Sequence, residues 1–238
     1  MRHLQWDSYQ TMTTLSIIIP VYNEEKTIDE IIRRVVAVPM RVKKELVIVD
    51  DGSRDATRER LKTYEGVHTV VYHEKNQGKG RAIRTGLEKV TGEYVVIQDG
   101  DLEYNPADLG VMVETMMKDG LRVLYGSRRL KKDNVPHSGV LFFIGGWILT
   151  IITNILYGQR LTDEPTCYKM FRTDFIKSLP LTCMRFEFCP EVTALSARRG
   201  EDIREIPISY APRGKKEGKK INWKDFIEAV WTLLVNRF

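Results

Sequence analysis

The chain repeats one cycle, three times in full and a fourth time as run and loop by Tyr104: an apolar, β-branched run, a polar loop, then apolar residues at helical spacing. The runs are Leu15–Val21, Glu45–Val49, Thr69–Tyr72 and Val95–Ile97. Runs that are apolar on both faces suit strands buried in a parallel sheet, where crossover helices cover each side. The alternation predicts an α/β fold with an open, mostly parallel sheet and helices on both faces. Ligands of such sheets bind outside the carboxyl ends of the strands. Those ends carry Pro20-Val21-Tyr22-Asn23-Glu24, Asp50-Asp51-Gly52-Ser53, Asn76-Gln77-Gly78-Lys79-Gly80 and Asp99-Gly100-Asp101-Leu102-Glu103. Four polar loops are expected to converge on one crevice.

The last loop carries the most specific chemistry. Alternation along a continuing strand would point Asp99, Asp101 and Glu103 the same way. Gly100 between the aspartates lacks a Cβ and lets a bulky anion approach. Three oxygen donors so placed suit Mg²⁺ or Mn²⁺, which in turn would hold phosphates. A plain turn is the alternative for Asp-Gly-Asp, and the convergence of four loops favours the metal. Asp50 and Asp51 can accept hydrogen bonds from a ribose or a base, while Gly78-Lys79-Gly80 opens a helix whose free amides would attract an anion. Gln98 and Asp99 are counted with the same nucleotide site. Thr27 and Glu30 have capping-box spacing at the start of the first helix.

The crevice therefore suits a nucleotide diphosphate. A dinucleotide oxidoreductase would need GxGxxG after the first strand, where Pro20 to Glu24 stand instead, and no GxxxxGK[ST] P-loop occurs.

At 238 residues the chain makes one large domain with an appendage: an extension over 1–14, the main domain over 15–212, and a basic loop with a final helix over 213–238. The net charge of +5 is concentrated between Arg213 and Lys224, with a second cluster at Arg128, Arg129, Lys131 and Lys132. Such patches take phosphates or anionic surfaces, or else form solvated loops. Cys167, Cys183 and Cys189 lack zinc-site spacing and read as reduced thiols. The first fourteen residues have no signal-peptide core, which suggests a cytoplasmic location.

Together, IIIPVYNEEKTI, VIVDDGSRDAT, NQGKGRAIRTGL and QDGDLEYNP resemble family 2 glycosyltransferases of the GT-A fold, in the family's order and spacing. The resemblance implies that Pro20, Tyr22, Glu24 and Asp51 line the nucleoside pocket. It also makes Asp99 and Asp101 the metal ligands, with Glu103 as a third. LTDEPTCYKMFR and Gly126-Ser127-Arg128 look like segments of dolichyl- and polyprenyl-phosphate sugar synthases, although Cys167, Glu103, Tyr104 and the Lys219-Lys220 pair depart from their pattern.

That likeness implies transfer from a UDP- or GDP-linked sugar, with inversion, to a lipid phosphate. The metal seat, Asp101 included, would assist the leaving group. Arg128, Arg213, Lys219 and Lys220 would grip the acceptor phosphate. For a hydroxyl acceptor instead, Asp163 is the natural base and Glu164 the second. A soluble acceptor and a catalytically silent nucleotide-binding subunit of a membrane complex are the alternatives. Nucleic acid is not expected as a partner, and a homo-oligomer or a membrane partner stays open.

Asn134 to Gln159 contains no Asp, Glu, Lys or Arg. A spanning helix there would separate the donor motifs from LTDEP, so an interfacial helix is expected, with Leu141, Phe142, Phe143, Trp147, Ile148 and Ile151 toward lipid. The protein would then sit peripherally on the cytosolic face of a membrane. In the final helix, the stripe Phe226, Ile227, Val230, Trp231, Leu234 and Phe238 is expected to pack into the core, with interfacial docking as the second choice.

Overall fold

The apolar runs become four adjacent strands of one sheet, with Thr69–Tyr72 at its edge. The computed structural model describes residues 13–134, 140–212 and 223–237. In chain order its elements are β1 (Thr14–Val21), α1 (Ile28–Ala37), β2 (Lys43–Asp50), α2 (Thr57–Lys62), β3 (Thr69–Tyr72), α3 (Lys79–Lys89), β4 (Tyr94–Ile97) and α4 (Asp108–Asp119). There follow β5 (Val123–Ser127), α5 (Val140–Tyr157), β6 (Lys169–Arg172), α6 (Thr173–Lys177), α7 (Phe188–Arg198), β7 (Arg204–Pro207) and α8 (Trp223–Val235).

The seven strands lie in the order β3-β2-β1-β4-β6-β5-β7. Neighbours are parallel except around β6, which runs antiparallel to both β4 and β5. That reversal brings the segment before β6 to the carboxyl ends of β4 and β5, the end where the polar loops lie.

Strand alternation sends neighbouring side chains to opposite faces. Ile17, Ile19, Ile48 and Val96 pack with Ile28, Ile31, Leu109 and Met112 of α1 and α4. On the other face, Ile18, Val47, Val95 and Ile97 meet Ala82, Ile83, Val192 and Leu195 of α3 and α7. α3 approaches β1 so closely that a Cβ on Gly86 would lie 2.6 Å from Ile18 Cγ2.

α1 does not begin with the expected capping box. The Thr27 hydroxyl makes no cap hydrogen bond and instead donates to Glu24 Oε2 at 2.8 Å, while Glu30 pairs with Arg33 and Arg34. The nearly buried Glu24 carboxylate, one turn earlier, captures the hydroxyl.

The final helix also differs from the core expectation. α8 joins α5 and α7 through a small cluster of Leu149, Ala194, Ala229 and Leu233. Because the face met by α8 is built around Ala194, the helix turns Ala229 and Leu233 inward. Phe226 and Val230 flank the cluster, whereas Ile227, Trp231 and Leu234 are exposed and Phe238 lies outside the described residues. On α5, Phe143, Trp147 and Ile148 are exposed and Ile151 is half-buried; the side chains of Leu141 and Phe142 lie outside the described residues. Among the described residues, no helix is long and apolar enough to cross a membrane.

Candidate active site

Backbone-to-side-chain bonds fasten the first two loops together. Asn23, in the left-handed region at φ 52°, donates its N–H to Ser53 Oγ at 2.9 Å and accepts from Arg54 N at 2.8 Å. Glu24 N donates to Thr57 Oγ1 at 2.8 Å. The two aspartates expected to face a ribose or base turn toward the protein. Asp50 accepts from Ser53 N and from Arg58 Nε at 2.8 Å. Asp51 is 3% exposed and accepts from Gln77 N at 2.9 Å and Gly78 N at 2.7 Å, with His73 Nδ1 2.7 Å away. Asp51 thus holds the third loop in place, because a buried carboxylate needs donors and those amides are nearest.

Two amides in the first turn of α3 are engaged by the protein itself rather than open to an anion. Gly80 N donates to Arg185 O at 2.9 Å and Arg81 N to Met184 O at 3.0 Å. Gly78 has φ 99°, and a Cβ there would lie 2.3 Å from Met184 O, so only glycine fits this junction. The positive group that α3 brings to the crevice is the Lys79 side chain. Its Nζ lies 2.5 Å from Asp99 Oδ1 and 2.7 Å from Cys167 Sγ. Burial opposes the lysine's charge, but the Asp99 carboxylate beside it raises its pKa well above the ordinary value.

β4 ends at Ile97, so strand alternation does not extend through the acidic loop. Leu102 takes the left-handed conformation at φ 63°, which redirects the chain and turns Glu103 to Tyr210, whose hydroxyl donates to Oε2 at 2.5 Å. Asp101 Oδ1 accepts from Glu103 N at 3.1 Å. Among the described residues, no three acidic, histidine or cysteine side chains are gathered as a metal cluster. Asp99 and Asp101 supply oxygen donors only, which suits a hard cation. A Cβ added to Gly100 would meet Glu24 Cγ at 3.6 Å and Pro20 O at 3.9 Å, so the acidic turn packs against the first loop. The residues present fit a two-carboxylate seat better than the expected three-carboxylate one. Gln98 is buried below it, accepting from Tyr168 OH at 2.6 Å. Pro20 and Tyr22 are half-buried at the end of β1.

The segment before β6 adds a second, fully organised charge pair. Asp163 is 0% exposed. It accepts from Arg128 Nε and Nη2, both at 2.7 Å, and from Arg128 N at 2.9 Å. Burial alone would raise this carboxyl's pKa, but the Arg128 guanidinium holds it below the ordinary value. The guanidinium also stacks over Tyr210, 5.0 Å from the ring centroid. Glu164 faces elsewhere: it is buried near Lys169 and Thr193, Oε2 has no hydrogen-bond partner among the described residues, and burial raises its pKa. Neither carboxyl is therefore presented as a ready base. Arg213, Lys219 and Lys220 lie outside the described residues.

A tyrosine cluster that the motifs did not reveal links the two halves. Tyr104 lies 4.7 Å from Tyr168 and 5.3 Å from Tyr210 between ring centroids. Its hydroxyl accepts from Cys167 N at 3.0 Å. Tyr210 carries no local signal of this role, being far from Glu103 in sequence. His73 was findable from its position just beyond β3, at the same sheet end as the loops.

The sequence profile of glycosyl transferase family 2 matches residues 16–179. The chain belongs to glycosyl transferase family 2. Among curated relatives of this family 2 chain is "Dodecaprenyl-phosphate galacturonate synthase" of Rhizobium johnstonii, 30% identical over 79% of this chain. The chain spans only 57% of that relative's length. A second is "UDP-N-acetylglucosamine--dolichyl-phosphate N-acetylglucosaminyltransferase" of Methanococcus voltae, 27% identical over 81% of this chain and 83% of that one. Glucosyl-3-phosphoglycerate synthase of Mycobacterium tuberculosis, crystallised with Mn²⁺, UDP-glucose and phosphoglyceric acid, superposes with a TM-score of 0.74. That superposition covers 95% of this chain and 80% of the other at 20% identity, and it establishes the fold as GT-A.

Proposed function

We propose that this chain transfers a sugar from a UDP- or GDP-linked donor to a polyprenyl or dolichyl phosphate, with inversion and with Mg²⁺ or Mn²⁺. The observation that carries the choice of acceptor is the Arg128–Asp163 pair. A hydroxyl acceptor must lose a proton, yet Asp163 is buried, has a lowered pKa and already accepts three hydrogen bonds from Arg128. A phosphate monoester is anionic near neutral pH and needs a positioned cation more than a base. Asp163 fixes the Arg128 fork, and Arg128 aligns the acceptor phosphate, joined by Arg213, Lys219 and Lys220.

On the donor side, Pro20, Tyr22, Glu24, Gly78 and Gln98 shape the nucleotide pocket, and Asp51 holds its third loop. Lys79, braced by Asp99, stabilises the diphosphate. Asp99 and Asp101 would hold the divalent cation, with Glu103 supporting the turn from its bond to Tyr210. When bound, that cation would neutralise charge on the departing diphosphate.

The exposed apolar residues of α5 and α8 support docking at the cytosolic face of a membrane, where the lipid acceptor would be reached. The test is transfer of label from UDP- and GDP-sugars to polyprenyl phosphate in detergent with Mg²⁺ or Mn²⁺. Label extracted into organic solvent and released by mild acid is the expected result. Donor consumption with all label left in water would replace this reading with a soluble acceptor. Nucleotide binding without donor consumption would indicate a silent subunit.

A further inference from the structure

We propose that Glu205 is a positioning residue for the acceptor phosphate, acting through Asp163 and Arg128, a role that rests on the assignment of Arg128 to that phosphate. Glu205 lies on β7 in register with Tyr125 of the parallel strand β5. Its neighbour Ile206 packs on the face covered by α1 and α4, so strand alternation sends Glu205 to the other face. There its carboxylate meets the segment that carries Asp163. Oε1 accepts from Asp163 N at 3.0 Å, and Oε2 accepts from Thr162 N and from Thr162 Oγ1, both at 2.7 Å.

The Thr162 hydroxyl extends this contact to the Arg128 side. A carboxylate only accepts, so Thr162 donates its proton to Glu205 and receives that of Ser127, whose Oγ lies 2.6 Å away. Ser127 Oγ in turn accepts from Arg129 N at 3.2 Å. The donors therefore run one way, from Arg129 N through Ser127 and Thr162 to Glu205. Ser127 and Asp163 are buried, so neither can turn to water instead. Arg128 stands between Ser127 and Arg129, and Asp163 follows Thr162, so one carboxylate fixes the backbone on both sides of the charge pair. The far side of Asp163 is held separately, with Glu164 N donating to Thr150 Oγ1 at 3.1 Å and Lys169 Nζ to Glu164 O at 2.6 Å. Loss of the Glu205 bonds would tilt the Arg128 fork without removing its charge.

Glu205→Gln keeps the shape but replaces one acceptor oxygen by an amide nitrogen, so at least one of the three donors loses its partner. Thr162→Val keeps the volume and both backbone bonds while cutting the hydroxyl chain, and Thr162→Ser restores it. Steady-state kinetics of the full chain should show the KM for polyprenyl phosphate raised about 10-fold in Glu205→Gln and Thr162→Val, with the KM for the sugar donor and the values for Thr162→Ser near wild type. In heteronuclear NMR spectra, the Arg128 Nε–H should exchange faster with water in the same two variants. An equal loss for donor and acceptor, Thr162→Ser behaving as Thr162→Val, or unaltered Arg128 Nε–H exchange would overturn the role of Glu205. The exchange readout needs no turnover. A chain that shows the Arg128 response but never labels polyprenyl phosphate would overturn the acceptor assignment and leave Glu205 as the residue that orients Arg128.

Discussion

Among the described residues, the Asp163 carboxylate takes its hydrogen bonds from a single residue: Arg128 reaches it with two guanidinium nitrogens at 2.7 Å and with its own backbone N–H at 2.9 Å. The arginine side chain is fixed at both ends by one carboxylate, with the Tyr210 ring stacked against its plane. A group held in this way orients a cation. It is poorly suited to receiving a substrate proton.

Asp163→Asn should lower folding stability at neutral pH by about 3 kcal/mol, because the half-buried Arg128 guanidinium loses its fully buried counter-charge. The folded-state pKa of Asp163 is depressed, so its stabilisation is present above the unfolded value near about pH 3.9 and is lost as pH falls through the folded value. Urea unfolding of wild type and variant should therefore show a gap that narrows on acidification. A gap independent of pH would reject the charge-based account.

Arg128→Lys keeps the charge but loses the planar fork, so the KM for lipid phosphate should rise on the order of 10-fold or more while nucleotide affinity stays near wild type. Steady-state kinetics with each substrate varied in turn reads the split. An equal loss for donor and acceptor would remove Arg128 from the acceptor side.

Asp101→Asn should reduce metal-supported transfer by at least about 100-fold, since even outer-shell partners of bound metals commonly cost 10- to 100-fold. The far-ultraviolet circular dichroism should be unchanged, because Asp101 lies in a half-buried turn beyond the end of β4. Wild-type activity should vanish on chelation and return with Mg²⁺ or Mn²⁺. Activity that persists in chelator would end the metal assignment.

Asp51→Ala removes the acceptor shared by Gln77 N and Gly78 N. Hydrogen bonds to a charged group contribute roughly 1.5–3 kcal/mol each, so the third loop should loosen ahead of the sheet. Hydrogen exchange at Gln77 and Gly78 should accelerate and UDP affinity should fall, while exchange in β1 and β2 changes little. A uniform acceleration across the chain would mean that Asp51 supports the whole fold rather than this loop.

Trp231→Ser with Ile227→Ser should weaken binding to anionic lipid vesicles while altering stability by no more than about 0.5 kcal/mol, because both side chains are exposed. Vesicle flotation and thermal melting measure the two effects. Unchanged flotation would exclude this face of α8 from membrane contact.

The donor half was legible in the sequence because strands buried on both faces announce themselves as continuous β-branched runs. β6 and β7 were harder: each has four residues, and each is stabilised by partners distant in sequence. Loop chemistry was readable only as far as residue type. Spacing marked Asp51 as a hydrogen-bond acceptor and Glu103 as a metal ligand, but the groups that reach them, Gly78 N and the Tyr210 hydroxyl, are brought close only by the fold. The orientation of α8 escaped for a similar reason, since a helical stripe shows where apolar residues cluster without showing that Ala194 awaits a small neighbour. The buried Lys169 had no signal at all; its ammonium sits over Tyr125 and donates to Glu164 O inside the protein.

The antiparallel course of β6 has one more effect. Tyr125 on β5 pairs with Lys169 on β6, and Gly126 N donates to Tyr168 O at 2.8 Å, so the chain leaves the sheet and re-enters it at almost the same point. Everything between, α5 included, is a closed excursion whose ends are already stapled together. Its outer part, α5, can lengthen or shorten without shifting the register of the strands. The architecture is modular at that junction: a fixed sheet, with an attachment that carries Arg128, Asp163 and α5.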